Sequence, residues 1–314
     1  MKDILTPIDR DLIKAELTED KLLRTTNKAG NLLYLTTASE SPNVMKEIAR
    51  IRELAFSLCG AGTGKPLDMD EFDWNEGSYK QLFVWDPQNE EIIAGYRFIL
   101  GNEVSFKEDG QPDLVTAGHY NFSQKFIDEY LSSTIELGRS FVHPDYQSSK
   151  MGSKSIFSLD NLWDGLGAIT VLRPDMKYFF GKVTVYPTYD EVARELIFTF
   201  IDKYFTDEDK LVTPFEPFKR PALSEEMASL FTGKNFKEEY RILNAKVRER
   251  GVNIPPLVNT YMGLSEKMKL FGYTEIEEEG GRIEFAIMVP IGEMHEEKKA
   301  RHIETFVNEN NFKL

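Results

Sequence analysis

Three arginines and three carboxylates stand where the neighbouring sequence is apolar. Arg52 lies in SPNVMKEIARIRELAFSLC, Asp70 and Asp73 in MDEFDW, Arg97 in AGYRFIL, and Glu136 and Arg139 in IELGRSFV. Charges in such runs are either half-exposed ion pairs, which contribute little, or a buried network that persists only when well hydrogen-bonded. Spacing leaves both readings open. Glu136 and Arg139 are three residues apart, and side chains alternate along a strand, so a bulge near Gly138 would be needed to bring them to one side.

Other chemistries find less support. Gly60, Gly62 and Gly64 before Lys65 invite a phosphate-loop reading, yet they follow a predicted helix, and Pro66 stands where Ser or Thr is required. The reading is therefore a flexible loop after a helix. A GxSxG nucleophile elbow is absent. His119, His143, His295 and His302 show no metal-ligand spacing and read as surface or loop histidines. Cys59, the single cysteine, forms no intramolecular disulfide and no thiolate cage, so no metal centre is expected.

The elements that must position these residues follow from periodicity and turn signals. Residues 9–25 read as a helix behind Asp9, followed by a strand in NLLYLTTA. Val44, Ile48, Ile51, Ala55 and Leu58 define an amphipathic helix opened by Ser41-Pro42. YKQLFVWD and EIIAGYRFIL, separated by DPQNE, read as an antiparallel hairpin. IELGRSFV is a further strand, SIFSLDNLWDGLGAITVL a helix stopped by Pro174, MKYFFGKVTV a strand and YDEVARELIFTFIDKYF a helix. TPFEPFKRPA is a connector. A helical stretch, a helix in NIPPLVNTYMGL and a strand pair around Gly280-Gly281 complete the chain, with a charged tail over residues 295–314.

The chain has 314 residues and a formal net charge of −14, which excludes a generally basic nucleic-acid binder. Its 41% hydrophobic content supplies a large core. No secretory signal and no run of about 18 apolar residues is present, so a cytoplasmic location is expected, with peripheral contact at the inner membrane left open.

In order along the chain, Arg52, Phe56, Asp70, Phe72-Asp73, Tyr96-Arg97, Glu136 and Arg139 resemble the signature of acyl-homoserine-lactone synthases. The series is still closer to the ornithine-lipid and glycine-lipid N-acyltransferases of the GNAT superfamily, often labelled hemolysins. ELGRSFVHPDY, LWDGL, KYFFGKVTV, IPPLVNTYMGL and FAIMVPI extend the resemblance over roughly residues 50–290. It implies a mixed α/β, mostly antiparallel GNAT-like sheet in a single domain, splayed between its fourth and fifth strands, with a bulged fourth strand and a helical insertion at residues 219–252.

The implied reaction transfers an acyl group, long and 3-hydroxylated, from acyl carrier protein to the α-amine of an amino acid, as in amino-acid lipid synthesis. Glu136 would take the ammonium proton with Arg139 beside it, and Arg52, Phe56, Asp70, Asp73 and Arg97 would form the supporting network. Backbone N–H groups around Ser140, Phe141 and Val142 would meet the thioester oxygen, and Tyr186 or Tyr189 would protonate the departing thiolate.

The donor-phosphate loop departs from the family pattern. It reads Gln147-Ser148-Ser149-Lys150-Met151-Gly152, with Lys150 where the first glycine belongs. Such a loop suits the single phosphodiester of acyl carrier protein better than the pyrophosphate of CoA, with Lys150, Gly152 and Lys154 near that phosphate. No permanently bound cofactor is expected; acyl carrier protein or acyl-CoA is the co-substrate. Residues 234–250 hold six basic residues against three acidic ones, among them Lys237, Arg241, Lys246 and Arg248, and this segment is the expected docking surface for the acidic carrier. The alternatives are an acetyl-CoA-dependent N-acetyltransferase, a membrane-active hemolysin-like protein and a non-catalytic acyl-binding module.

Overall fold

Strand formers dominate the stretches from Lys80 to Asp86 and from Glu91 to Leu100, and nearly every residue in both is buried, as in central strands covered on two faces. The computed structural model describes residues 4–75, 77–147, 153–221, 224, 227, 229–233, 235–276 and 281–310. Its strands are β1 (Leu22–Thr25), β2 (Leu32–Thr36), β3 (Lys80–Asp86), β4 (Glu91–Leu100), β5 (Tyr120–Phe122), β6 (Thr134–Val142), β7 (Tyr178–Val185), β8 (Val212–Pro214), β9 (Lys269–Ile276) and β10 (Arg282–Pro290). The first six helices are α1 (Arg10–Glu16), α2 (Pro42–Leu58), α3 (Glu71–Trp74), α4 (Gln124–Glu129), α5 (Ser153–Leu172) and α6 (Glu191–Phe205).

The chain divides into two compact units. The first comprises Met1–Val104, Ser132–Lys177 and His295–Leu314. Its strands lie in the order β1-β2-β3-β4-β6, each antiparallel to its neighbour. Helix α2 covers one face: Val44, Ile48, Ile51 and Ala55 pack with Tyr34, Phe83, Trp85 and Phe141. Helix α5 covers the other so closely that a Cβ on Gly165 would fall 2.8 Å from Leu82 Cδ1.

The start of α2 follows its Ser41-Pro42 signal, although the orphan amides of Asn43 and Val44 are satisfied by the Glu16 carboxylate at 2.8–3.1 Å. The helix expected over residues 9–25 is shorter than its pattern suggested. It ends at Glu16, and Leu22–Thr25 pairs with β2 instead.

The charged tail is docked in this unit. It forms helical turns from Glu296 to Asn310 around a π-turn at Ala300–Glu304, and His302 is buried with Nδ1 2.7 Å from Asp164 Oδ1. His143 is buried as well, but in the loop after β6, as the surface-or-loop reading allows, whereas His302 is an interior group on the tail's helical turns.

The second unit comprises Ser105–Leu131 and Tyr178–Met294. Strand β10 lies between β7 and β9, antiparallel to both, and β5 pairs antiparallel with β8, a strand that overlaps the start of the segment expected to be only a connector. Within residues 219–252 the longest described element is the Phe236–Glu249 helix. It packs on α6 through Phe200, Tyr204, Phe236 and Tyr240, with Lys203 Nζ 2.5 Å from the buried Glu239 carboxylate. No helix among the described residues is long and apolar enough to cross a membrane.

Candidate active site

The first unit gathers the charged residues on the α2 side of its sheet. Across the strands Gln81 pairs with Arg97 and Arg97 with Gly138, while Glu136 sits opposite Ile99. Residues opposed in antiparallel strands share a face, so Gln81, Arg97 and Glu136 point to one side. Helix α2 brings Arg52 onto them. Helix α3 brings the aspartates, because Asp70 is its N-cap and forms a capping box with Asp73: Phe72 N donates to Asp70 Oδ1 at 3.1 Å and Asp70 N to Asp73 Oδ2 at 3.3 Å.

The resulting network is continuous. Arg52 donates through Nη1 to Asp73 at 3.0 and 3.2 Å and through Nη2 to Gln81 Oε1 at 2.6 Å. Arg97 grips Asp70 with two parallel bonds of 2.6 and 2.9 Å and reaches Asp73 Oδ2 at 3.2 Å. Tyr79 donates its hydroxyl proton to Glu136 Oε2, and the Arg97 guanidinium lies over the Tyr79 ring at 5.3 Å from its centre. The buried-network reading therefore applies.

Burial alone would drive the Asp73 carboxyl up, but Arg52 and Arg97 outweigh it and hold the group below the usual aspartate range. Asp68 is pushed up by burial, and Arg139, Arg52 and Arg97 only partly offset this. Arg97 stays firmly charged. Its burial is more than balanced by Asp73 and Asp70.

Strand β6 bulges where the geometry demanded it. Between the Gly95–Phe141 and Arg97–Gly138 pairs, β6 carries one residue more than β4, and Arg139 adopts φ +47°. A left-handed backbone at a non-glycine residue costs about 1–2 kcal/mol. The bulge turns Arg139 toward Asp70, which Arg97 also holds, and toward Asp68, with Nη2 3.4 Å from both Asp68 Oδ1 and Asp70 Oδ2. Gly95 lets the strand close around it, since a Cβ there would lie 2.6 Å from Phe141 Cε1.

Not every sequence candidate joins this cluster. Phe56 packs against the apolar cluster under α2. Phe141 is buried, Ser140 is partly buried within the bulge, and Val142 is partly buried beyond it. Lys150 and Gly152 lie outside the described residues, as does the side chain of Lys154. Tyr186 and Tyr189 belong to the second unit. Tyr189 donates to the Asn253 carbonyl at 2.9 Å, and burial with the nearby Asp190 charge pushes its hydroxyl up to about 12. Lys237, Arg241 and Arg248 are exposed on their helix, whereas Lys246 is half-buried and pairs with Glu249 at 2.9 Å.

Sequence reasoning missed Tyr79, Gln81, Asp68 and Glu53. Gln81 left a signal as the lone amide beside the apolar run Leu82–Trp85, and Tyr79 shares its alternation. Glu53 explains the glycine loop. Its carboxylate accepts from Thr63 N at 2.9 Å and Gly64 N at 3.0 Å, so the amides that a phosphate loop would turn to its ligand hold an internal anion instead.

Residues 51–155, the span containing all six charged residues, match the acetyltransferase (GNAT) domain family. The chain is 51% identical over 315 residues to a glycine N(alpha)-acyltransferase of Phocaeicola vulgatus, covering 98% of this chain and 95% of that one. It is 52% identical over 308 residues to a glycine N(alpha)-acyltransferase of Bacteroides thetaiotaomicron, with coverages of 98% and 91%. Among solved structures, a CoA-dependent acyl-homoserine lactone synthase with SAM and isopentyl-CoA aligns at 10% identity and a TM-score of 0.31, over 70% of this chain and 90% of that one. Identity above one half along nearly the whole length, with a GNAT domain around the charged network, places the chain in the glycine N(alpha)-acyltransferase family, as an N-acyltransferase.

Proposed function

We propose that the enzyme transfers a 3-hydroxyacyl group from the pantetheine thioester of acyl carrier protein to the α-amine of glycine, the first step toward an amino-acid lipid. The carrying observation is the Glu136 carboxylate: buried, fixed by the Tyr79 hydroxyl and standing on the bulged strand of a GNAT domain. The names of the two bacterial relatives supply the acceptor.

Glycine reaches the site as an ammonium ion, which has no lone pair. Glu136 accepts one proton, directly or through water, and the freed nitrogen attacks the thioester carbonyl. The nitrogen of the tetrahedral intermediate gives up a second proton as the oxyanion collapses and the C–S bond breaks, and that proton ends, directly or through water, on the departing thiolate, leaving a neutral amide and a free thiol. An oxyanion on the carbonyl needs N–H donors, and the amides around Ser140 to Val142 are our candidates.

The test incubates purified enzyme with 3-hydroxyacyl carrier protein and a panel of amino acids, with products identified by mass. The expected product is N-acylglycine, and Glu136→Gln lowers its rate by about 100- to 10,000-fold. An unaltered rate in that variant, or acylation at oxygen only, defeats the proposal.

A further inference from the structure

The members of the network are unequal in exposure and in how firmly they are held. The side chains of Arg52, Arg97, Asp73 and Asp68 are at most 2% exposed, whereas Asp70 is 24% and Arg139 26% exposed. These last two mark the network's open side. Asp70 is already committed, since both its oxygens are gripped by Arg97 at 2.6 and 2.9 Å. Arg139 is not. Its two contacts are 3.4 Å long and share a single nitrogen, Nη2, and among the described residues its Nε and Nη1 donate no hydrogen bond.

Arginine recognises carboxylates best through two parallel N–H bonds, and half of that fork is unused here. The backbone is held at φ +47° to aim it, an outlier of the kind that clusters at ligand clamps. The fork also sits on the strand that carries Glu136, three residues away, and reaches the face on which Glu136 lies.

We infer that Arg139 is the receptor for the acceptor's carboxylate, gripping the α-carboxylate of the incoming amino acid so that its α-nitrogen is presented to Glu136. This rests on the N-acylation reading above and adds the feature of the acceptor that is selected. A small α-amino acid carries its anion and its amine on one carbon, so fixing the first fixes the second.

The test compares glycine with glycinamide, which keeps the amine and lacks the carboxylate, using one acyl thioester. The wild-type enzyme is expected to favour glycine by about 100-fold in kcat/KM, because a site built around a charge rejects the analogue lacking it. In Arg139→Gln the ratio should fall below about 5-fold, mainly through a higher KM for glycine, and Arg139→Lys should recover part of it. Circular dichroism checks that Arg139→Gln is folded; if it is not, the wild-type ratio and the lysine variant decide. A wild type that acylates both amines equally, or a ratio that survives in Arg139→Gln, overturns the inference while leaving N-acylation intact. Acylation of neither amine overturns both.

Discussion

Asp73 is the carboxylate on which two buried arginines depend. Arg52 and Arg97 have almost no solvent contact, and both donate to Asp73. Removing one partner from such a group leaves buried charge uncompensated, so Asp73→Asn is expected to cost about 3–5 kcal/mol, read from the urea midpoint. The pH dependence follows from the direction of its shift. Asp73 titrates below its unfolded value of about 3.9, so its contribution is complete above that pH and is lost as the pH falls through the lower folded-state value. The stability gap between wild type and Asp73→Asn should therefore narrow as the pH falls below about 4. Asp68, shifted the other way, gains stabilisation as the pH falls through its raised value toward 3.9, so the gap and not the wild-type curve is the cleaner readout. At this scale the sequence was informative because arginine and aspartate in apolar runs are conspicuous. Tyr79 and Asp68 were not, since a tyrosine before a strand and an aspartate in a loop are common in any fold.

The bulge in β6 is the element on which the site turns. Without the extra residue the strand beyond Gly138 would be out of step with β4, and Phe141 would leave the face where it packs with Phe83 and Ile48. Gly95 is the partner that makes this packing possible. Its added Cβ would press on two Phe141 ring atoms at 2.6 and 2.8 Å and approach the Leu82 carbonyl at 3.2 Å, so Gly95→Ala should destabilise by about 1–3 kcal/mol. Phe141→Leu in the same chain should recover part of that loss, and a double-mutant cycle from urea unfolding would show coupling; strict additivity would mean the ring is not the obstacle. The hairpin, α2 and α5 were legible because long periodic runs with clear stops leave little choice of element. Strands β5 and β8 were not. Three-residue strands carry too little period, and each forms only because its partner lies about 90 residues away in sequence.

At the scale of the whole molecule, the proposed donor sets a condition: an enzyme of net charge −14 would have to meet an acyl carrier protein that is itself acidic. Long-range repulsion then slows encounter unless a local basic face offsets it. On the Phe236–Glu249 helix, Lys237 and Arg241 are four residues apart and Arg248 seven further on, spacings that align them along one exposed stripe. Buried Leu243 and Val247 turn that stripe outward, while Glu249 offsets Lys246. Converting Lys237, Arg241 and Arg248 to glutamate should lower kcat/KM for acyl carrier protein by about 10- to 100-fold at low salt, with the deficit shrinking as the screening length falls from about 30 Å at 0.01 M to about 8 Å at 0.15 M. The same acyl group on CoA supplies the control, because CoA bears no folded acidic surface to steer. An equal loss with both donors would locate the damage in the fold, and no loss with either would remove this helix from the encounter; only a loss confined to the carrier-bound donor, and relieved by salt, fits docking through this stripe.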